Sequence, residues 1–315
     1  MQVFHFKQSL NFMRLKWPAI ILSTLLILGS FFSFATKGIN WGLDFTGGTV
    51  IEVGFAQPAD LPAVRKTLAD AGYGDAVVQL FGTSRDVLIR IPLRTDIDQS
   101  KLGDSVVRAL NATQSENVTT RRIEFVGPSV GEELKEDGGL AMLVALIGIL
   151  LYVTMRFEWR LSVGAVLALF HDVTLTMGLF SVLGLEFDLT VLAAILALIG
   201  YSINDTIVVF DRIRESFRKL RDASVDETIN DAITSTLNRT VITSLTTVLV
   251  LVVLFYMGGA LIHGFATALL FGIAIGTYSS IYVASAIAEI FGISREDMLP
   301  PPPVEKEGEN TDVLL

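Results

Sequence analysis

Six apolar stretches, each close to the length that crosses a bilayer, constrain this sequence more than any other feature. A spanning helix needs about 20 mostly apolar residues. Composition agrees, because 51% of the 315 residues are hydrophobic and only 18% are charged, below the roughly 25% usual in soluble domains. The sequence therefore predicts an α-helical polytopic membrane protein. The predicted spans are residues 17–36, 139–155, 161–185, 189–210, 241–261 and 265–291.

The first apolar stretch follows a short basic arm, residues 1–16, which holds Lys7, Arg14 and Lys16. A signal peptide has the same outline, but its apolar region is usually about 7–15 residues long. The stretch is longer than that, so we interpret it as the first spanning helix.

Residues 37–138 have the composition of a soluble domain. Alternating and helical patterns predict strand, helix, strand, strand, helix, strand, the order of a split-βαβ, ferredoxin-like α+β fold. The domain lies between the first two spans. The predicted elements are 47–55, 60–71, 76–81, 86–91, 99–110 and 120–126, with a turn at 82–85.

The basic residues predict the orientation in the membrane. Six spans place both termini on one side, and the segments on that side hold 13 of the 24 Lys and Arg residues, whereas the loops 186–188 and 258–263 hold none. Positive loops stay cytoplasmic. We therefore expect cytoplasmic termini in a bacterial inner membrane and a periplasmic domain at 37–138. A cytoplasmic amphipathic connector is predicted at 211–240 and a cytoplasmic tail at 292–315.

Two carboxylates, Asp172 and Asp205, lie within predicted spans. Such a charge costs on the order of 2.5–3.5 kcal/mol by insertion scales and usually marks a functional site. Arg239 should lie at a depth similar to Asp205, so we predict a charged pair or a water-bridged relay for proton coupling. For Asp172 a structural hydrogen-bonded role remains equally open, as does a snorkelling role for Arg239. Supporting polar residues are Ser202, Asn204 and Thr243.

Small residues recur at every fourth position of the last span and predict close helix packing, with Gly272 and Gly276 at the centre of the ridge. Glycine pairs also border the soluble domain: Gly47 and Gly48 precede it, and Gly127 and Gly131 follow it. Neither motif has the Gly-Lys-Ser/Thr of a phosphate loop. They predict either a hinge or a rigid, tightly packed junction.

Together these motifs resemble the SecF branch of the SecD/SecF protein-export family, within the RND superfamily. The resemblance rests on Trp41–Thr49, Arg122–Gly131, Arg156–Arg160, His171–Asp172, Ile199–Glu215 and Asn238–Thr240. It implies a six-helix, RND-type half that pairs with SecD beside the SecYEG channel, with YajC and YidC as further partners, and that draws preproteins outward with the proton-motive force after the SecA step. It also implies that Asp205 and Arg239 take part in proton coupling, and that SecD supplies a further carboxylate.

Other function classes are less well supported. The chain has no cysteine and three widely separated histidines, so we predict no metal site, no cofactor and no enzymatic activity. A net charge of -9 argues against a nucleic-acid partner. A small-molecule exporter subunit of the RND type and a scaffold without a transport role remain the alternatives.

Overall fold

The computed structural model describes residues 9–94, 99–113 and 118–298. Within these residues, six helices are long and apolar enough to cross a membrane. The structure therefore has the predicted fold class, a six-helix polytopic protein with one inserted α+β domain. The candidate spans are Met13–Thr36, Ser129–Arg156, Trp159–Leu183, Leu189–Lys219, Val225–Met257 and Leu261–Ile290.

The spanning helices differ sharply in how much protein surrounds them. In the most apolar window of the third and fourth spans 56% of the residues are buried, against 6% in the second and 11% in the fifth. The third and fourth spans therefore form the centre of the bundle, and the second and fifth present apolar side chains outward. As helices these elements are α1 (Lys16–Thr36), α5 (Pro128–Arg156), α6 (Trp159–Leu183), α7 (Leu189–Lys219), α8 (Val225–Met257), α9 (Ala260–Tyr278) and α10 (Ala284–Ile290).

Small residues set the closest helix contacts, as predicted for the last span. A Cβ on Gly272 of α9 would lie 2.5 Å from the Leu198 side chain of α7, and one on Gly276 would lie 3.4 Å from Ser202. The small-residue ridge therefore packs within the chain, on α7. The sixth span is not one uniform α-helix, because residues Ser279–Val283 form a π turn between α9 and α10. π turns widen the helix and are frequent at functional sites.

The soluble domain has the predicted strand and helix order. Its four strands pair antiparallel in the order β3-β4-β2-β5, and two helices cover one face of the sheet. Its core includes Ile51, Ile89, Leu68 and Leu102, which are at most 1% exposed. The elements are β2 (Gly48–Gly54), α3 (Leu61–Asp70), β3 (Val77–Phe81), β4 (Thr83–Pro92), α4 (Gln99–Thr113) and β5 (Thr119–Val126).

Several boundaries differ from the prediction. The turn predicted at 82–85 is shorter, because Gly82 alone, at φ 74°, reverses the chain and Thr83 already pairs with Phe81. The second spanning helix begins at Pro128, so the α+β domain ends before residue 138. Hydropathy detects only the apolar part of this helix, and its first turns carry charged residues such as Glu132, Glu133 and Lys135.

The separate connector predicted at 211–240 is wrong. Helix α7 continues to Lys219, and α8 begins at Val225 with a capping box between Ser224 and Glu227. Two extended spanning helices and a short link therefore replace it. The amphipathic pattern arises because one face of these extensions packs against the bundle through Ile213, Phe217 and Ile229. The predicted arm and tail extend, at 1–8 and 299–315, beyond the described residues.

The α+β domain contacts the membrane helices near the start of α7, through strand pairing and a hydrogen bond. A two-residue strand, β1 (Asn40–Trp41), pairs in parallel with β6 (Glu186–Phe187), between α6 and α7. The Asp44 carboxylate, from the short helix α2 (Leu43–Thr46), accepts from the Leu189 N–H at 3.0 Å, where a helix favours negative charge. The domain is therefore connected directly to α7.

An ion pair extends this connection. Arg90 of β4 contacts the Glu186 carboxylate of β6. Burial lowers the pKa of the Arg90 guanidinium, and the nearby carboxylates of Asp188 and Asp44 oppose that effect. The pair joins the sheet of the domain to the loop between α6 and α7.

The opposite end of the bundle brings together both ends of the described chain. Lys16 at the start of α1 contacts Glu289 of α10 and lies 3.3 Å from Asp226 of α8. The Met13 N–H donates to Asn230 Oδ1 at 3.0 Å. Residues 9–16 and the end of α10 therefore lie on one side, away from the α+β domain.

Candidate functional site

Asp205 lies inside the bundle, on α7, and is 8% exposed. Thr240 of α8 donates to its Oδ1 at 2.8 Å, and Ser280 of the π turn donates to its Oδ2 at 2.6 Å. Both donors are nearly fully buried. Each carboxylate oxygen thus has one hydroxyl partner, and the site joins three spanning helices.

Asp172 of α6 has a fuller set of partners. Its Oδ1 lies 2.8 Å from Nδ1 of His171, and its Oδ2 accepts from Ser202 at 2.5 Å and from Ser279 at 2.7 Å. Nε2 of His171 lies 3.1 Å from Ser23 Oγ of α1. The acid, the imidazole and the three hydroxyl groups are at most 4% exposed, so they form a closed polar cluster.

The two acids belong to neighbouring parts of the same structure. Ser202 and Asp205 are three residues apart on α7, which places them on one helix face. Ser279 and Ser280 are adjacent in the π turn, and each donates to a different acid. The structure therefore brings Asp172 and Asp205 together through α7 on one side and the π turn on the other.

Arg239 is exposed and forms no ion pair with Asp205 among the contacts of the described residues. It interacts with the Asp205 carboxylate electrostatically over a longer distance. Its side chain lines an open groove of about 560 Å³ between α7 and α8, whose lining includes Asn204, the residue before Asp205, but not Asp205 itself. Of the two arrangements predicted from sequence, the direct pair is absent between these two described residues, and Thr240 contacts the acid. The water-bridged relay stays a prediction. The groove is lined by Asn204, Ile207, Val208, Asp211, Arg212, Glu215, Ser235, Thr236 and Arg239.

Known proteins share both the helical part and the glycine motif of this chain. Residues 106–293 match the family described as protein export membrane protein SecD/SecF, C-terminal, and residues 32–59 match the SecD/SecF GG motif. The chain belongs to the SecD/SecF family of protein-export membrane proteins.

Relatives within the SecD/SecF family cover the chain almost end to end. The protein translocase subunit SecF of Vibrio alginolyticus is 55% identical over 99% of both chains. That of Escherichia coli O157:H7 is 45% identical over 100% of this chain and 97% of the relative. The chain accordingly functions as a subunit of a protein translocase.

A solved structure of SecDF, a translocon-associated membrane protein from Thermus, matches 90% of the chain with a TM-score of 0.80 and 38% identity. SecDF in a super-membrane-facing form matches 92% with a TM-score of 0.69. In both comparisons the chain covers only 39% of the longer SecDF chain.

The supporting polar residues predicted for this SecD/SecF member fall in different places. Ser202 contacts Asp172, and Asn204 lines the groove. The Thr243 hydroxyl lies within hydrogen-bond distance of the backbone carbonyl oxygens of Arg239 and Thr240, at 2.9 and 3.0 Å, and contacts neither acid. The adjacent turn of α8 presents Thr240 to the acid instead.

Sequence reasoning missed Thr240, Ser279 and Ser280, although all three contact the acids. Hydroxyl residues are common in spanning helices, so their type alone carries little signal. A shared helix face could have suggested Thr240, but a π turn leaves no recognisable pattern in a single sequence. His171 was noted only as adjacent to Asp172.

The junction glycines come together at the base of the α+β domain. A Cβ on Gly131 would lie 3.1 Å from the carbonyl oxygen of Phe45 and 3.2 Å from N of Gly47. Gly48 has φ 132° and passes so close to the Ile91 carbonyl that a Cβ would lie 2.5 Å from it. Gly127 is less crowded, with its nearest contact at 3.9 Å. Gly48 and Gly131 are thus closely packed in this conformation, and the choice between a hinge and a rigid junction stays a prediction.

A second open space lies between the uncovered face of the sheet and the loops of the helical bundle. This cleft has a volume of about 780 Å³ and combines charged residues, including Arg90 and Glu52, with aromatic rings of Phe180 and Phe255. It is separate from the two acids. The described residues contain no group of three or more His, Asp or Glu side chains placed to hold a metal.

Proposed function

We propose that the chain pairs with SecD and that protons moving through Asp205 drive a movement that promotes late steps of preprotein translocation through SecYEG. The observation that supports this most directly is the position of Asp205. It lies within a span, between two helices that supply its hydroxyl partners, and beside a groove lined by charged side chains. A carboxylate placed in this way can exchange protons with water in the groove while staying hydrogen-bonded.

The proposed orientation follows from the same groove. Arg212, Arg239 and the basic end of α7 lie at the end of the bundle that carries residues 9–16 and the end of α10. Positive residues favour the cytoplasm. We therefore propose cytoplasmic termini and a periplasmic α+β domain, with the groove as the cytoplasmic end of the proton path.

The proton gradient can supply enough energy for such a step. One elementary charge crossing 100 mV releases about 2.3 kcal/mol. Two states that differ by a few kcal/mol can be interchanged by that amount. A shift of α7 would reach the domain through Asp44 and the Arg90–Glu186 pair, so we propose that the domain moves with α7 as a rigid unit. Motion about Gly47, Gly48, Gly127 and Gly131 is the alternative.

The exposed faces of α5 and α8 support a partner within the membrane. These helices are buried least, and the longer SecDF chain contains more than this chain covers. We propose SecD as the polypeptide against them, and it would also supply the remaining part of the proton path. On the family resemblance, SecYEG, YajC, YidC and translocating preproteins are the further proposed partners. No enzymatic activity and no cofactor are proposed.

The test is export into inverted membrane vesicles with SecA and ATP, measured with and without a proton-motive force. Asp205→Asn is expected to abolish the stimulation by the proton gradient while SecD still copurifies. Asp297→Asn is the control, because Asp297 pairs with Arg160 outside the spans and does not line the groove. If Asp205→Asn retains full stimulation and partner binding, the chain is a scaffold and the proposal is wrong.

A further inference from the structure

The hydroxyl groups of Ser279 and Ser280 each have two acceptors within reach. Ser279 Oγ lies 2.7 Å from Oδ2 of Asp172 and 3.2 Å from the carbonyl oxygen of Gly276. Ser280 Oγ lies 2.6 Å from Oδ2 of Asp205 and 3.1 Å from the carbonyl oxygen of Thr277. A serine hydroxyl carries one hydrogen and rotates, so it can donate to only one of these acceptors at a time.

The π turn gives these two serines their arrangement. They begin the turn, and Ser285 of α10, two residues after the turn, donates to the backbone carbonyl of Ser280 at 3.3 Å. Consecutive residues on a helix point in different directions, so one serine meets α6 and the other meets α7. The carbonyl groups of Gly276 and Thr277, which are the alternative acceptors, belong to the last turn of α9 directly before the π turn.

We propose that Ser279 and Ser280 are positioning residues for the proton step: their hydroxyls reverse direction when Asp172 or Asp205 takes up a proton, and so couple both acids to the π turn of the sixth span. This inference rests on the proposed function of Asp205. To that proposal it adds Ser279 and Ser280, and it connects Asp172 with Asp205 through the π turn of this chain.

The hydrogen bonds balance in both states. While Asp205 is ionised, Ser280 donates to Oδ2 and Thr240 donates to Oδ1. When a proton binds Oδ2, the new O–H donates to Ser280 Oγ, and the serine hydrogen turns to the Thr277 carbonyl. The protonated state has one more hydrogen bond, because the added proton is itself a donor, and neither state leaves a buried donor without a partner.

The same exchange operates at Asp172. A proton on Oδ2 would donate to Ser279 Oγ, and the serine hydrogen would turn to the Gly276 carbonyl, while Ser202 and His171 keep their contacts. In each exchange a backbone carbonyl in the last turn of α9, that of Gly276 or Thr277, gains a hydrogen bond from a serine hydroxyl. Protonation of one acid therefore changes the hydrogen bonding of the backbone just before the π turn. The serine that contacts the other acid is part of that turn.

Few other titratable groups surround the pair in the described part of the chain. Helix α8 contributes Arg239, which acts on Asp205 from the groove, and α6 contributes His171 beside Asp172. Helix α1 contributes the Ser23 hydroxyl, which lies 3.1 Å from the Tyr278 hydroxyl of α9. On α7, Tyr201 donates to Ser244 at 3.3 Å.

The test is an infrared titration of the purified complex of the full chain with its partner, together with the pH profile of gradient-driven export. The C=O band of protonated Asp205 is identified by its loss in Asp205→Asn, and that of Asp172 in Asp172→Asn. In Ser280→Ala the ionised Asp205 loses one donor, so its band is expected to persist about one pH unit higher, and the export profile to move with it. Ser279→Ala should do the same to the Asp172 band.

Two further variants separate this role from a loss of folding. Ser162→Ala removes a buried serine of α6 that donates only to backbone carbonyls, and it should leave both bands unchanged. Ser280→Thr keeps the hydroxyl and should restore the wild-type profile. If Ser280→Ala does not assemble, Ser280→Cys, with its weak S–H donor, should give a smaller shift in the same direction.

Unchanged bands in both alanine variants, or an equal shift in Ser162→Ala, would overturn the inference. A wild-type complex without any band sensitive to Asp205→Asn would instead remove the proposed function itself. The two failures are therefore distinguishable.

Discussion

Asp172 and Asp205 are both acids within spanning helices, yet their surroundings differ. Asp172 is 0% exposed and has an imidazole and two hydroxyls as partners. Asp205 is 8% exposed, has two hydroxyl partners, and lies beside a groove. Satisfied polar clusters hold a fold in place, whereas an acid near water can change its charge during a cycle. From this difference we expect Asp172 to contribute more to the stability of the bundle than Asp205, in line with the proton exchange proposed for Asp205.

The largest expected effect separates the two acids by stability. Asp172→Ala leaves the buried donors of His171 and Ser202 without an acceptor, and should lower the free energy of unfolding by about 3–5 kcal/mol. Asp205→Ala should cost less, about 1–3 kcal/mol, because Ser280 can turn to the Thr277 carbonyl. The measurement is thermal unfolding of the detergent-purified complex. Equal losses in the two variants would contradict the proposed division of roles.

A smaller effect is expected at the partners of Asp205 on α8. Thr240→Val removes a donor to the acid and should shift the pH profile of gradient-driven export by about one unit. Thr243→Val removes only a hydroxyl bonded to backbone carbonyls and should leave the profile unchanged. The pair is matched in size and helix. Equal behaviour of the two variants would mean that Thr240 does not act through Asp205.

The smallest effect is expected at Asp297, a carboxylate outside the spans, which serves as a reference for the two buried acids. Burial alone would raise the pKa of Asp297, but hydrogen bonds from Ser294 and the Arg160 guanidinium outweigh it and lower this pKa. A lowered pKa contributes stability above the unfolded value of about 3.9, and this is lost as the pH falls through the folded value. The contribution should be below about 1 kcal/mol, because the side chain is partly exposed.

The fluorescence of Trp159 reports this effect, because its ring contacts Phe291 and Arg160 close to Asp297. In a Trp17→Phe, Trp41→Phe background the signal should stay constant from pH 7 to pH 5 and change below about pH 4. Asp297→Asn should remove that step. A step that survives in this variant would have to be assigned to another group.

The sequence predicts the helices and strands of this molecule better than the boundaries and connections between them. The six apolar stretches and the strand and helix order of the soluble domain carry strong periodic signals, and the structure contains both. The region 211–240 was mistaken for a separate element, because charged extensions of α7 and α8 look amphipathic once hydropathy falls. Only tertiary packing decides that they continue spanning helices.

The site was predictable in its acids and unpredictable in their partners. A carboxylate in an apolar run is conspicuous, so Asp172 and Asp205 could be selected from the sequence alone. Arg239 was expected to form a charged pair or a water-bridged relay with Asp205 because the two residues should lie at similar depths. The direct contact is made by Thr240, and Arg239 lines the groove. Which side of α8 faces α7 depends on helix rotation, which a single sequence does not specify.

The short parallel pair of β1 and β6 also determines the order in which the molecule can assemble. Residue 40 emerges from the ribosome long before residue 186, with which it pairs. The first spanning helix and the α+β domain must therefore be synthesised, and α6 must follow, before the domain can reach its docked position. During that interval β1 has no strand to pair with, and the ring of Trp41, which packs against Phe45 and Phe187 in the folded chain, lacks its contact with Phe187. The domain thus becomes docked only when more than half of the polypeptide has been translated.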